Sequence, residues 1–312
     1  MVNLYTMLNR FHANKGSILD LPYKTMRLVL VLVANIYGRI VYNPLYSRRR
    51  IRENPATNDR IIISLTSFPG RIKLVPYVIE TLFAQNTKPD RIILYLATSQ
   101  FPDREHGLPK SLQQQKRRGL EIVFCDDLRS HKKYYYAFRD FADEIVVTVD
   151  DDVFYPKNTL TSLYQAYLDD PRAVACNRGK RITVNKGKLE AYNTWPRVIE
   201  SDTGLDIIPI GIGGVLYPPR VFDGEVLNKE VFMKYAFKAD DIWLKVQAMR
   251  NQVPTVKTAF PYRHMIDVLG SQHFSLHKEN VSEAQNDVQL EALIEYYGLR
   301  IQNVLVTKSN GI

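Results

Sequence analysis

The stretch from Ile145 to Asp152 reads I-V-V-T-V-D-D-D, and it decides the fold that we predict. Its first five residues are apolar or β-branched without polar alternation, which is typical of a strand buried on both faces. In an open α/β sheet, the carboxyl ends of strands border the crevice in which ligands bind. Three carboxylates there repel one another unless a cation or water screens them. The stretch therefore predicts a site for a hard divalent cation, which takes oxygen ligands. The alternative is a solvated acidic turn or a helix cap.

Strands and helices alternate on both sides of this stretch. Strands are predicted at 61–66, 91–96 and 120–124, and helices at 74–83, 110–118 and 132–142. Further along, we expect a helix at 157–168, a strand at 173–176, a hairpin or long loop over 177–205, and helices at 240–250 and 287–297. Such alternation indicates βαβ units and a parallel sheet. The predicted fold class is α/β, with a mostly parallel central sheet flanked by helices.

The formal net charge of +9 lies mostly at the N-terminal end of the 312 residues. Residues 1–60 hold ten Lys and Arg against three acids, so the remainder is nearly neutral. This distribution favours an anionic surface as a partner and argues against nucleic acid. Cys125 and Cys176 provide no disulfide framework, so we expect buried thiols and a cytoplasmic protein.

An apolar segment at 26–42 is interrupted by Gly38-Arg39, and its unbroken part is about half as long as a membrane span needs. Tyr37 and Tyr42 lie in its second half, Tyr46 comes just after it, and the basic run 48–52 follows. Two predictions stay open: the segment lies in the interface of an anionic membrane, or it packs on the body as a helix with a solvated basic tail. Residues 1–25 have no signal-peptide pattern. We treat 1–58 as a basic, helical N-terminal extension and 59–312 as the main domain.

Two further features can carry chemistry. Asp240-Asp241 opens a predicted helix, and a carboxylate in a low-dielectric cleft whose neighbour raises its pKa can act as a general base. The alternative for this pair is a helix cap with an acidic first turn. Gly211, Gly213 and Gly214 allow the backbone to approach a ligand closely, or they form a bulge or tight turn.

Taken in order, these features resemble GT-A-fold glycosyltransferases, most closely the bacterial family-two-type enzymes that build capsule or lipopolysaccharide. The resemblance covers about residues 60–280. It rests on the turn Ser64–Arg71, the acids Asp126 and Asp127, the Asp150–Asp152 cluster, the glycine-rich stretch and the Asp240-Asp241 pair. It implies a GT-A (Rossmann-like) domain whose nucleotide-binding half is 59–152 and whose acceptor-binding half is 153–312.

The same resemblance implies an activity. It is a metal-dependent, inverting transfer of a sugar from a nucleotide-diphosphate donor to a glycan or lipid-linked acceptor, in surface polysaccharide synthesis. The implied cofactor is Mn²⁺ or Mg²⁺, and UDP is the nucleotide expected from the class. The enzyme would be cytoplasmic or peripheral on the inner face of the cell membrane.

Each matching residue acquires an implied role. Asp240-Asp241 matches the family's catalytic Glu-Asp pair, in which the second acid is the base, so Asp241 would deprotonate the acceptor hydroxyl. Asp240 stands where the family has Glu. Asp150 and Asp152 would hold the metal with a late histidine, for which His277 is the candidate and His264 and His273 are alternatives. The implied donor-binding residues are Thr66, Arg71, Asp126, Asp127, Lys133, Asp150, Asp151, Gly213 and Gly214. Lys132 and Lys133 are either diphosphate contacts or surface lysines.

Two other functions compete with this one. A HAD-type phosphatase also places Asp-x-Asp after a buried strand, which Asp150 and Asp152 satisfy. Its nucleophile strand usually opens the domain, whereas three strand units come first here, and no clear Ser/Thr-then-Lys pair follows. A non-catalytic sugar- or membrane-binding protein is the third hypothesis, under which Asp241→Asn would change nothing measurable.

Overall fold

The computed structural model describes residues 20–51, 59–261, 265–271 and 285–300. The helices are α1 (Asp20–Val41), α2 (Val75–Phe83), α3 (Lys110–Lys116), α4 (Lys132–Asp140), α5 (Thr159–Asp169), α6 (Lys229–Tyr235), α7 (Asp240–Arg250) and α8 (Gln285–Tyr296). The strands are β1 (Ile61–Ser67), β2 (Arg91–Ala97), β3 (Leu120–Cys125), β4 (Ile145–Thr148), β5 (Val153–Phe154), β6 (Val174–Cys176), β7 (Gly179–Arg181), β8 (Val184–Asn185), β9 (Lys188–Leu189), β10 (Arg197–Val198), β11 (Asp202–Gly204), β12 (Ile207–Pro209), β13 (Val215–Tyr217), β14 (Thr255–Lys257) and β15 (Ile266–Asp267).

An eight-stranded sheet in the order β11-β14-β6-β13-β4-β1-β2-β3 forms the centre of the fold. Strands β4, β1, β2 and β3 run parallel to their neighbours in this series. Strand β13 lies antiparallel between β4 and β6, and β11 is antiparallel to β14. The predicted α/β class with a mostly parallel central sheet is therefore confirmed.

Helices cover both faces of the sheet, because alternate side chains of the buried strands point to opposite sides. Ile62, Ile93 and Val146 pack into a core that includes buried residues of α4 and α7. Their neighbours Ile61, Ile63, Ile92, Ile145 and Val147 pack into a second core against α2 and α5. Each such side chain stabilises the fold by about 1.5–3 kcal/mol when it is fully buried. The continuous apolar run of β4 follows from this burial on both sides.

The carboxyl ends of the parallel strands position the functional candidates. Strand β1 runs into the turn that contains Arg71, and β4 runs into Asp150–Asp152. Helix α4 begins with Lys132-Lys133, and α7 begins with Asp240-Asp241.

The predicted hairpin or long loop at 177–205 contains several short strands. Strand β7 pairs with β10 and with β12 in a separate three-stranded antiparallel sheet. Strands β8 and β9 form a small hairpin.

Helix α1 docks on the main domain through a few small and polar residues. The Asn35 side chain donates to the Asp267 carbonyl at 3.0 Å and accepts from the Leu269 amide at 2.8 Å. Gly38 lies against the ring of Phe154. A Cβ atom added at Gly38 would lie 2.9 Å from Cζ of that ring. Ala34 is buried and Leu30, Val31 and Val41 are half-buried, whereas eight other apolar side chains of α1 are between 42% and 70% exposed: Met26, Leu28, Val29, Leu32, Val33, Ile36, Tyr37 and Ile40.

The predicted N-terminal helix is thus confirmed, and it packs on the body along one side only. No helix within the described residues has both the length and the apolar character needed to cross a bilayer.

Candidate active site

The three consecutive acids after β4 are held by neighbouring side chains. Arg71 Nη1 lies 2.7 Å from Asp151 Oδ1 and 3.1 Å from Asp152 Oδ2. The Ser67 hydroxyl donates to Asp151 Oδ2 at 2.5 Å. Asp151 and Asp152 are buried, so the alternative of a solvated acidic turn is wrong. Burial, followed by the charges of Asp150 and Asp151, raises the pKa of Asp152 to about 7.

Lys133 joins the acid cluster to the acidic pair of α7. Its Nζ lies 2.8 Å from Asp150 Oδ1 and 2.9 Å from Asp240 Oδ2. Burial disfavours the ammonium, but the charges of Asp150, Asp240 and Asp241 outweigh it and raise the pKa of Lys133 well above its usual value. The side chain is nearly inaccessible, so the alternative of a surface lysine is wrong. Lys133 therefore stays charged and ties two sequence-distant acids into one site.

The two acids that open α7 have opposite electrostatic environments. Burial, and then the charge of Asp240, raises the pKa of Asp241 to about 7. Burial acts in the same sense on Asp240, but Lys133 outweighs it and lowers the pKa of that carboxyl. Desolvation lowers the pKa of buried His131 to about 4, so its imidazole is neutral near pH 7. The positive charge that lowers the pKa of Asp240 near neutral pH is therefore that of Lys133. Two carboxyls whose pKa values are driven apart are suited to different roles.

Gly211 brings the backbone close to all three charged groups. A Cβ at this position would lie 3.1 Å from Asp241 Oδ1, 3.1 Å from Lys133 Nζ and 3.4 Å from Asp150 Oδ1. Its amide donates to Asp241 Oδ2 at 3.0 Å. Gly211–Gly213 form a 3₁₀ turn, and Gly214 has a positive φ of 77°. The glycines thus make a tight turn, and Gly211 is the one that faces the carboxylates.

The other predicted donor-binding residues lie in more varied settings. The Asp127 carboxylate accepts from Lys132 Nζ and from the Gln100 side chain, whereas Asp126 is exposed. The Thr66 hydroxyl donates to the Tyr95 carbonyl within the sheet. Gly213 packs against Arg178. A Cβ atom added at Gly213 would lie 2.7 Å from the Cβ atom of Arg178. Their roles in donor binding stay predictions.

The carboxylates have the chemistry that a divalent cation needs. Two cations, Arg71 and Lys133, lie among five carboxylates, so an added positive charge would relieve the repulsion between the carboxylates. The five are Asp150, Asp151, Asp152, Asp240 and Asp241. Within the described residues, however, no group of three His, Cys, Asp or Glu side chains is already arranged to hold a metal. Arg71 and Lys133 occupy oxygens that a metal would use.

The three histidines predicted as possible metal ligands, His264, His273 and His277, lie outside the described residues.

Two partners of the acid cluster were not predicted from the sequence. Sequence reasoning missed Ser67 as a partner of Asp151, although it is one residue beyond Thr66 in the predicted turn. It also missed Tyr155, whose hydroxyl accepts from the Asp150 amide at 2.8 Å.

A comparison with protein families identifies the chain. Residues 67–228, just over half of the 312, match the family model described as glycosyl transferase family 2. The chain belongs to this family. The matched segment of this family 2 glycosyltransferase includes Asp150–Asp152, Lys133 and Gly211, and it ends before α7.

Solved structures resemble this glycosyltransferase at low identity. One is a mannosyltransferase from Pyrobaculum calidifontis in complex with GDP-Man and Mn²⁺, with 14% identity, 86% of this chain and 84% of that chain covered, and a TM-score of 0.39. Another is the inositol-1-phosphate CTP transferase from T. maritima, with 10% identity, coverages of 77% and 98%, and a TM-score of 0.43. Neither informs the substrate of this chain. No curated protein matches it.

Proposed function

We propose that the protein is a metal-dependent, inverting glycosyltransferase that moves a sugar from a nucleotide-diphosphate donor to a glycan or lipid-linked acceptor in surface polysaccharide synthesis. One observation carries the proposal. Lys133 brings Asp150, at the end of β4, and Asp240, at the start of α7, into a single buried ion-pair network. Asp241 lies beside this network on the amide of Gly211. An acid cluster for the donor and a base for the acceptor then face the same space.

Asp150 and Asp152 are the residues that we propose to hold Mn²⁺ or Mg²⁺, since carboxylate oxygens are preferred by both. When bound, the cation would neutralise charge that develops on the diphosphate leaving group. Arg71 would lie near the diphosphate of the donor, and its ion pair with Asp151 would hold that carboxylate in its present position. We assign the donor half to 59–152 and the acceptor half to 153–312, with UDP as the first nucleotide to test.

Asp241 is the proposed general base. Its raised pKa means that the carboxylate accepts a proton readily near neutral pH. It would take the proton of the acceptor hydroxyl while that oxygen bonds to the anomeric carbon. The bond from this carbon to the diphosphate oxygen breaks with its electron pair on the diphosphate, and the configuration at the carbon inverts. The ammonium of Lys133 lowers the pKa of Asp241, which would weaken it as a base. The ionised carboxylate of Asp240 would offset this effect, because its charge raises the pKa of Asp241.

Donor turnover tests the proposal. The protein with Mn²⁺ is incubated with UDP-, GDP- and dTDP-sugars, and nucleotide release is followed by chromatography, with Asp150→Asn as the inactive comparison. We expect release from one donor class by the wild type and loss of that release in the variant. Release of inorganic phosphate from small phosphate esters, without turnover of any nucleotide sugar, would favour the phosphatase hypothesis and contradict ours.

The exposed apolar side of α1 supports a membrane surface as a partner, and we propose that it is the cytoplasmic face. Exposed Arg27 and Arg39 lie near the two ends of this apolar stretch, and exposed Arg48 and Arg50 follow the helix. Apolar area together with basic charge attracts a segment to an anionic lipid interface. We therefore propose that α1 places the enzyme at the surface that carries its acceptor.

Vesicle flotation tests this part. With phosphatidylglycerol-containing vesicles, we expect the wild type to float and an Ile36→Glu/Ile40→Glu variant to stay at the bottom. The matched control is Leu168→Glu on α5, since Leu168 is also 50% exposed. Equal flotation of the double variant and the wild type would contradict a role for α1.

A further inference from the structure

The side of α1 that faces the main domain meets it beside the acid cluster. Gly38 lies against the ring of Phe154, and Tyr42, the residue after the helix, stacks on the same ring with a centroid distance of 6.2 Å. Phe154 belongs to β5 and comes two residues after Asp152. The first contact of α1 is therefore with the strand that continues directly from the acid cluster.

A second contact of α1 is with residues 265–271, which we call the bridging segment. Asn35 is buried, and its side chain donates to the Asp267 carbonyl at 3.0 Å and accepts from the Leu269 amide at 2.8 Å. Arg39, one helical turn later, donates from Nη2 to the Leu269 carbonyl at 2.7 Å. Two side chains of α1 thus bond to three backbone groups of the bridging segment.

The bridging segment also bonds to the proposed donor site. The Val268 amide donates to the Asp152 carbonyl at 2.8 Å. Arg71 Nε donates to the Ser271 carbonyl at 3.2 Å. The Nη1 group of the same arginine contacts the carboxylates of Asp151 and Asp152. The segment therefore connects α1 to the backbone of one acid and to the guanidinium that holds two of them.

The pairing of the bridging segment with the main domain is short. Strands β15 and β5 pair through two residues each, in a two-stranded sheet that is separate from the central one. A two-stranded pair is at best marginally stable by itself, so the position of the segment depends strongly on its other contacts. Ligands of a metal site must be held to within about 0.5 Å. A shift of the segment would displace Asp152 and Arg71 by more than this tolerance allows.

We propose that Asn35, supported by Arg39, is a positioning residue for the donor site. By fixing the bridging segment, it would hold the Asp152 carboxylate and the Arg71 guanidinium where Mn²⁺ and the donor's diphosphate bind. The proposal rests on the proposed transferase function. It gives α1 a task besides membrane attachment, since Asn35 and Gly38 lie on its buried side and the exposed apolar residues lie on the other.

The test uses full-length variants without lipid. Asn35→Ala removes both contacts of the amide, and Arg39→Gln withdraws the guanidinium at an exposed position, where folding is little affected. Asn251→Ala is the matched control. The Asn251 side chain also donates to a carbonyl four residues earlier, that of Gln247 at 2.9 Å, and accepts from a backbone amide, that of Asp223 at 3.2 Å. It follows the end of α7 that is about 16 Å from the acidic pair.

Two properties of each protein are measured. Hydrogen exchange of the peptide 265–271 is followed by mass spectrometry without ligands, and UDP, GDP and dTDP are titrated calorimetrically with Mn²⁺. We expect Asn35→Ala to accelerate exchange in this peptide. It should also weaken, by at least about fivefold, the nucleotide that the wild type binds, which corresponds to one net hydrogen bond. Arg39→Gln should act in the same direction but less, and Asn251→Ala should leave both properties unchanged.

Two results would overturn the proposal. One is wild-type nucleotide affinity in Asn35→Ala, whether or not exchange of the bridging segment is faster. The other is an equal loss of affinity in Asn35→Ala and Asn251→Ala, which would indicate general destabilisation. Failure of the transferase function would look different, because no nucleotide would then bind to the wild type with Mn²⁺, while exchange in the ligand-free proteins would still report whether Asn35 fixes the segment.

Discussion

Replacing Asp241 by Asn separates catalysis from stability. The substitution keeps the size of the side chain and an oxygen that can accept from the Gly211 amide, but it removes the proton-accepting carboxylate. Loss of a general base typically costs about 10²–10⁴-fold in rate. Binding of a nucleoside diphosphate with Mn²⁺ should stay nearly unchanged, because Asp241 is assigned to the acceptor side.

The same substitution should stabilise the protein. The pKa of Asp241 rises from its ordinary 3.8 to about 7 on folding, and one pKa unit corresponds to about 1.4 kcal/mol. Because the native pKa is the higher one, the contribution of this carboxyl is fully favourable below about pH 4 and is lost as the pH rises through about 7. The raised pKa thus lowers the free energy of unfolding by at most about 2 kcal/mol at pH 5.5 and about 4 kcal/mol at pH 8, and Asn removes this loss because it does not titrate.

The assay combines donor turnover with thermal melts at pH 5.5 and pH 8. We expect Asp241→Asn to lose turnover and to gain melting temperature, more at pH 8 than at pH 5.5. Asp240→Asn is the control of opposite sign, because its carboxylate is stabilised by Lys133 and its loss should cost about 1–3 kcal/mol. Turnover within a few fold of the wild type in Asp241→Asn would refute its role as the base.

Three further predictions follow from the same contacts. Lys133→Met should lower the melting temperature and abolish donor turnover, because it leaves Asp150 and Asp240 buried without their shared cation; a melting temperature equal to that of the wild type would contradict the network. Gly211→Ala should reduce turnover at least about tenfold, since its Cβ would crowd Lys133 and Asp241 at 3.1 Å, whereas Gly224→Ala, with no atom within 4 Å of its Cβ, should not. In the wild type, kcat/KM should rise with pH through about 7 as Asp241 loses its proton; a rate that falls over this range would be inconsistent with a carboxylate base.

The sequence predicted the parts of the fold that depend on local patterns. The apolar run of β4 and the acids after it are adjacent in the chain, so their placement at a strand's carboxyl end followed from periodicity alone. The strands of two or three residues within 177–205 are too short to show a period, so that region was predicted only as a hairpin or long loop.

The partners of the acids could not be predicted in the same way. Arg71 meets Asp151 across 80 residues, and this pairing depends on how the turn after β1 faces the end of β4. Lys133 has the sequence context of a solvent-exposed helix start, yet α4 delivers it under the turn at Gly211. Such contacts are set by the packing of helices on the sheet and not by any local pattern.

Calorimetric titration of a nucleoside diphosphate panel, with Mn²⁺ and then with EDTA, tests the central claim most directly. The claim is that Asp150 and Asp152 bind a cation that in turn binds the donor's diphosphate. We predict binding of at least one nucleoside diphosphate in Mn²⁺, its loss in EDTA, and its loss in Asp152→Asn with Mn²⁺ present. Equal affinity in Mn²⁺, in EDTA and in the variant, or no binding of any nucleotide, would contradict the account.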